Sequence, residues 1–131
     1  MSRKSIDIEG FGHGAQPIPA ACRVGPLVTT GGIYGLDSAT GKLPDDVGEQ
    51  VRLMFGHLER IIVAAGGTLA DVARMTFYVK DPAARPIVNE YWLAAFPDPA
   101  SRPARHTLTY EHLPANMLVQ CDALAMVRSD G

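Results

Sequence analysis

The chain has 131 residues, 47% of them apolar and 20% charged, with a net charge of −2. These values fit one globular domain spanning 1–131, because a single core usually serves about 100 to 200 residues, and they exclude collagen-like, disulfide-stapled and strongly basic nucleic-acid-binding classes. No apolar run approaches the roughly 18 residues that cross a bilayer, and Cys22 and Cys121 stand far apart with no CxxC and no secretory pattern, so free thiols in a cytoplasmic protein are expected.

In chain order, a strand is expected at Ser5–Ile8, followed by an irregular loop rich in Gly10, Gly12, Gly14, Pro17 and Pro19. The apolar, β-branched run after Pro26 predicts a strand over 27–34 with both faces covered. Turn formers fill 35–44. Asp46-x-x-Glu49 then has the form of a capping box, and Val47, Val51, Phe55, Leu58, Ile62 and Ala65 recur at helical spacing up to Gly66-Gly67. Thr68–Asp71 reads as a capped turn, Val72–Lys80 as a strand, and Pro86–Phe96 as a second helix closed by Pro97. Two more strands are expected at 104–113 and 116–127, paired as a hairpin through Pro114-Ala-Asn. This order suits one mixed α+β sheet with two helices on a single face. An apolar opposite face would be covered by another subunit, placing sites at subunit seams.

Several familiar motifs fail on counting. GLDSATGK has five residues between Gly35 and Gly41 where a phosphate loop has four, and Leu43 replaces the magnesium-binding hydroxyl. GFGHG lacks the third glycine and following helix of a dinucleotide site. His13, His57, His106 and His112 show no metal-ligand spacing, and His57 reads as a structural, hydrogen-bonded residue. Arg102 and Arg105 lie where a loop enters a strand. An arginine fixed there suits bidentate carboxylate capture; the alternatives are a surface position or pairing with Asp98 or Glu111. Alternation along the last strand puts Val119, Cys121, Ala123 and Ala125 on one face and Gln120 and Asp122 on the other. Those two polar groups could serve a ligand, a water or a subunit interface.

Taken together, Gly25-Pro-Leu-Val-Thr-Thr-Gly-Gly, the Ala-Thr-Gly-Lys loop, Ala64-Ala-Gly-Gly-Thr-Leu-Ala-Asp-Val, Phe77-Tyr-Val-Lys-Asp, Val88-Asn-Glu and Pro103-Ala-Arg105 with Leu113-Pro resemble the RidA family, also called YjgF or L-PSP endoribonuclease-like, from about Gln16 to Val127. The resemblance implies a chorismate-mutase-like α+β fold. It also implies a homotrimer with three inter-subunit clefts that hydrolyse reactive enamines or imines, such as 2-aminoacrylate, to keto acids and ammonia without a cofactor. Arg105 matches the family arginine that holds the substrate carboxylate and whose carbonyl accepts from the imine nitrogen. Thr30 and Gly31 match a cleft-lining Ser-Gly pair, Asn89 a family asparagine, and Trp92 an aromatic position.

Departures from the family pattern are equally specific. Gln120 replaces a glutamate that handles water, Ile18 a cleft tyrosine, Gly32 a glutamine, and His106 a serine. An amide orients water but takes no proton at neutral pH, so Gln120 is expected to act by positioning. The alternatives are a trimer that binds small carboxylates without turning them over and, ranked last, an endoribonuclease, against which the acidic net charge argues. His106 is expected to point away from Arg105 by strand alternation.

Overall fold

The computed structural model describes residues 2–128. Its strands are β1 (Arg3–Ile6), β2 (Ala21–Val24), β3 (Leu27–Thr30), β4 (Ile33–Tyr34), β5 (Val72–Val79), β6 (Ala104–Thr109) and β7 (Val119–Met126), with helices α1 (Val47–Ala64) and α2 (Arg85–Ala95). They form one mixed sheet in the order β1-β2-β3-β7-β5-β6, with β4 also pairing β7. All pairs are antiparallel except β5 with β6. No described helix is long and apolar enough to cross a membrane.

α1 forms where the apolar stripe predicts it. Asp46 caps its first turn, its carboxylate accepting from the Glu49 backbone N–H at 3.0 Å. Only half of the expected box closes, because the Glu49 carboxylate turns instead to Arg52 Nε at 2.6 Å. At the other end Gly66 takes a positive φ of 98°, which favours glycine. Val51, Met54, Leu58, Ile61 and Ile62 are fully buried and share one core with Ile33, Met75, Phe77, Val119, Cys121 and Ala125 from the sheet. α2 packs beside α1 on the same face: Tyr91 stacks on Phe55 at 6.2 Å and Trp92 meets Phe77 edge-on at 6.0 Å.

The expected hairpin of the last two strands does not form. β5 lies between β6 and β7, parallel to the first and antiparallel to the second. α2 links β5 to β6, and a strand-helix-strand crossover yields parallel neighbours; β6 is thereby set at the sheet edge and β7 is left to enter on the inner side. The strand expected over 27–34 is broken at Gly31-Gly32 into β3 and β4. Thr30 Oγ1 bridges the break by accepting the Ala123 N–H at 2.9 Å. β2 has no counterpart among the expected strands; it pairs with β3 around Gly25, whose φ is 58°.

The opposite sheet face keeps Leu27, Leu108, Leu124 and Met126 exposed, Met126 by 53%. Helix α1 also carries buried His57, whose Nε2 donates to the Leu36 carbonyl at 2.6 Å while Nδ1 faces Arg60 Nη1 at 3.4 Å. Burial holds this imidazole below its ordinary pKa of 6.5, opposed by the Leu36 bond and helped by the Arg60 cation. A base whose folded pKa is depressed contributes stability above its unfolded pKa and loses it as pH falls through the folded value. Urea titrations should therefore show the wild type losing more stability than His57→Gln on acidification from about pH 7.5 to 5.5. Parallel pH slopes for the two proteins would contradict this.

Candidate functional site

The residues singled out by sequence fall into two groups on opposite faces of the sheet. The first gathers at edge strand β6. Arg105 is the Cα partner of Met75, so its side chain lies on the helix-bearing face, and its guanidinium carbon sits 5.1 Å from the Phe77 ring centroid and 5.0 Å from that of Trp92. Stacking of this kind orients and partly desolvates a guanidinium. Nε donates to Thr107 Oγ1 at 2.8 Å, and no carboxylate lies within salt-bridge distance of Arg105 among the described residues. Both Nη groups are thus left for a ligand. Burial lowers the pKa of Arg105, with the Arg85 cation adding to the effect; a guanidinium nonetheless stays charged at neutral pH.

The β6 backbone matters as much as the side chain. Tyr110 N–H bonds to the Val79 carbonyl, so in this parallel ladder the even-numbered residues turn their N–H and C=O toward β5. Arg105 and Thr107 consequently turn theirs toward the open edge. Arg85 Nη2 donates to the Thr107 carbonyl at 2.9 Å from that side. The Arg105 carbonyl has no hydrogen-bond donor there among the described residues. Trp92 is buried against the guanidinium; Asn89, one turn earlier on α2, is exposed.

Arg102 has a different place. Its Nε and Nη2 donate to the Phe96 and Pro97 carbonyls at 2.8 and 3.2 Å, closing the exit of α2; it pairs with neither Asp98 nor Glu111. His106 turns to the other face and accepts from Arg74 Nη2 at 3.1 Å, away from Arg105 as alternation predicts. Cys121 is fully buried on the core face, where burial and the Asp122 charge push its thiol pKa up.

The second group lies on the outer face. Gln120 pairs across the sheet with Tyr34 and Tyr78, and its amide occupies the space over Gly32, where an added Cβ would stand 2.1 Å from Nε2. Glycine at 32 is what makes room for this side chain. Ile18, 54% exposed, and Gln120 share a concavity of about 420 Å³ with His13, Tyr34, Asn116 and Met117. Gly31 lies beside His13, whereas Thr30 is not among the residues that line the concavity: its hydroxyl accepts the Ala123 N–H at 2.9 Å and donates to the Gly31 carbonyl at 2.8 Å, so its proton is committed within the chain.

Sequence reasoning missed the other members of this concavity, His13 and Tyr34 among them. His13 folds back so that Nε2 lies 2.8 Å from the Gly32 carbonyl, while its Nδ1 is buried without a hydrogen-bond partner. The Tyr34 hydroxyl donates to the Gly12 carbonyl. The GFGHG segment was legible only as an irregular loop, and no spacing signal reveals a return over Gly31-Gly32. One chain does not unite the two groups: Arg105 and Gln120 project from opposite faces, on strands separated by β5. No metal-ligand cluster occurs among the described residues.

Comparison with known proteins fits this architecture. A 2-iminobutanoate/2-iminopropanoate deaminase of Escherichia coli K12 is 29% identical over 126 residues, covering 95% of this chain and 98% of the relative. The crystal structure of the E. coli YjgF gene product superposes with a TM-score of 0.85 at 28% identity, covering 95% of this chain and 99% of that one. E. coli TdcF with bound serine superposes with a TM-score of 0.86 at 26% identity and the same coverage. The family model described as Endoribonuclease L-PSP matches residues 15–127, and this chain belongs to that family, which is also known by the names RidA and YjgF.

Proposed function

We propose that a homotrimer of this chain hydrolyses 2-imino and 2-enamino acids to 2-keto acids and ammonia, in clefts where Arg105 of one subunit faces Gln120 of the next. The observation that carries the reading is the Arg105 environment: two unpaired Nη groups held against Phe77 and Trp92, beside a backbone carbonyl turned to an open edge. A substrate carboxylate forks onto the Nη pair, and the Arg105 carbonyl accepts the imine N–H. This fixes C2 and keeps the nitrogen protonated and the carbon electrophilic. Water adds to C2, the resulting carbinolamine shifts a proton from oxygen to nitrogen, and ammonia leaves as the C=O bond forms. The Gln120 carbonyl orients that water and takes no proton from it. Asn89 on α2 and Ile18 beside Gln120 shape the substrate side chain's path.

Two further observations support the shared cleft. The outer sheet face that bears Gln120 also exposes Leu27, Leu108, Leu124 and Met126, and packing such apolar area between subunits gains about 25 cal/mol per Å². The E. coli relatives are named for 2-iminobutanoate and 2-iminopropanoate, and TdcF was solved with serine, a ligand bearing both a carboxylate and an amine.

The test is to generate 2-aminoacrylate, 2-iminopropanoate and 2-iminobutanoate in situ and follow release of keto acid and ammonia. Release faster than spontaneous hydrolysis is expected. A second reading, a trimer that binds small carboxylates without turnover, is favoured by the amide at position 120. Retained keto-acid binding with no acceleration across the panel would establish it. Gln120→Glu should raise turnover of the small imines, since a carboxylate can accept the water's proton; an unchanged or lower rate would show that the water is handled by another group.

A further inference from the structure

Thr107 anchors two guanidiniums at once. Arg105 Nε donates to its hydroxyl at 2.8 Å and Arg85 Nη2 to its carbonyl at 2.9 Å, so the two cations converge on one residue at the sheet edge. Neither has a carboxylate within salt-bridge distance among the described residues. The acids of the neighbouring segments are engaged locally: Asp81 accepts from Ala83 N–H at 2.9 Å, Asp98 from Ala100 N–H at 2.9 Å, and Glu111 lies 3.7 Å from His112 Nε2. In a chain of net charge −2, two adjacent uncompensated arginines are a built cationic corner. Burial, and after it the nearby Arg85 cation, lower the pKa of Arg105, and an anion that reaches both guanidiniums offsets both costs.

We propose that Arg85 makes the cleft selective for imino acids carrying a second carboxylate, the imines of aspartate and glutamate, with Arg105 holding the C1 carboxylate and Arg85 the distal one. This rests on the carboxylate-binding reading of Arg105. Arg85 Nε and Nη1 make no hydrogen bond among the described residues and remain available, while its Nη2 bond to Thr107 limits the head's travel and reduces the ordering cost of binding. The chemistry is the same hydrolysis: water supplies the oxygen that replaces nitrogen at C2, giving oxaloacetate or 2-oxoglutarate and ammonia.

The experiment compares kcat/KM for 2-iminosuccinate and 2-iminopropanoate, both generated in situ, and in parallel measures binding of the stable ligands succinate and propionate by calorimetry. In the wild type both comparisons should favour the diacid. Arg85→Ala should cut that preference about tenfold while 2-iminopropanoate and propionate change less than about threefold. Arg85→Gln, which keeps a donor for the Thr107 carbonyl without the charge, should behave alike. A preference unchanged in both variants overturns the proposal. So does loss of the assembled mass on removing Arg85, which would place its partner in a subunit interface. Arg105→Ala separates the underlying reading: it should weaken mono- and diacid together, and intact propionate binding in that variant would instead refute the carboxylate role of Arg105.

Discussion

Replacing Arg105 by alanine is expected to lower kcat/KM for small imino acids, and the affinity for their keto-acid products, by about 30- to 1000-fold, or roughly 2 to 4 kcal/mol. The magnitude follows from the setting. The guanidinium is half-buried between Phe77 and Trp92 and fixed through Nε to Thr107, so a carboxylate meets a fork that is already oriented and partly stripped of water. Arg105→Lys should recover only part of the loss, because an ammonium offers no planar pair of donors. Arg102→Ala is the control. Its guanidinium is engaged by the Phe96 and Pro97 carbonyls, so its removal should reduce thermal stability and leave the kinetic constants near those of the wild type. Equal kinetic losses in the two alanine variants would contradict the assignment.

Gln50→Leu is expected to destabilise the fold by about 3 kcal/mol, read as a lower urea midpoint. Gln50 is fully buried in the first turn of α1, at the start of its buried face. Its Nε2 donates to the Pro44 and Asn116 carbonyls at 2.7 and 2.8 Å, and its Oε1 accepts the Leu118 N–H at 2.9 Å. One side chain therefore ties the helix to the loop before it and to the turn that leads into β7. Leucine has similar volume but would orphan two carbonyls and one N–H, each buried orphan costing about 1 to 3 kcal/mol, with the added apolar burial offsetting part. The site is also tightly enclosed: a Cβ at Gly35 would lie 2.4 Å from the Gln50 carbonyl oxygen. Because the bond is to Leu118, two residues before Gln120, the surviving folded protein should also lose activity. A stability loss below about 1 kcal/mol would show that water replaces the amide.

What was legible in the sequence had a local cause. α1 carries its own start signal at Asp46 and a sustained apolar period, and β7 alternates strictly enough that the outward placement of Gln120 and Asp122 follows by counting. The errors arose where partner choice is not local. Pro114-Ala-Asn suggests a hairpin, yet strand order is set by the crossover through α2, which places β5 between β6 and β7. β2 contains an arginine and is four residues long, too short for a periodic signal. Gln50 carries no signal in the sequence, and only the fold supplies its three partners. Arg105 was identified through family resemblance, whereas its open carbonyl depends on β6 register. Arg85 and His13 reach the two halves of the site through contacts 22 and 19 residues away, which no spacing rule encodes.

Arg105 and Gln120, on opposite faces of one sheet, are proposed to serve a single cleft between two subunits. A crystal structure of the assembled protein soaked with 2-oxobutanoate tests it most directly. The ligand carboxylate should be forked on the Arg105 Nη groups, with Gln120 of the adjoining subunit facing C2. A ligand enclosed by one chain alone, or bound away from Arg105, would contradict the proposal.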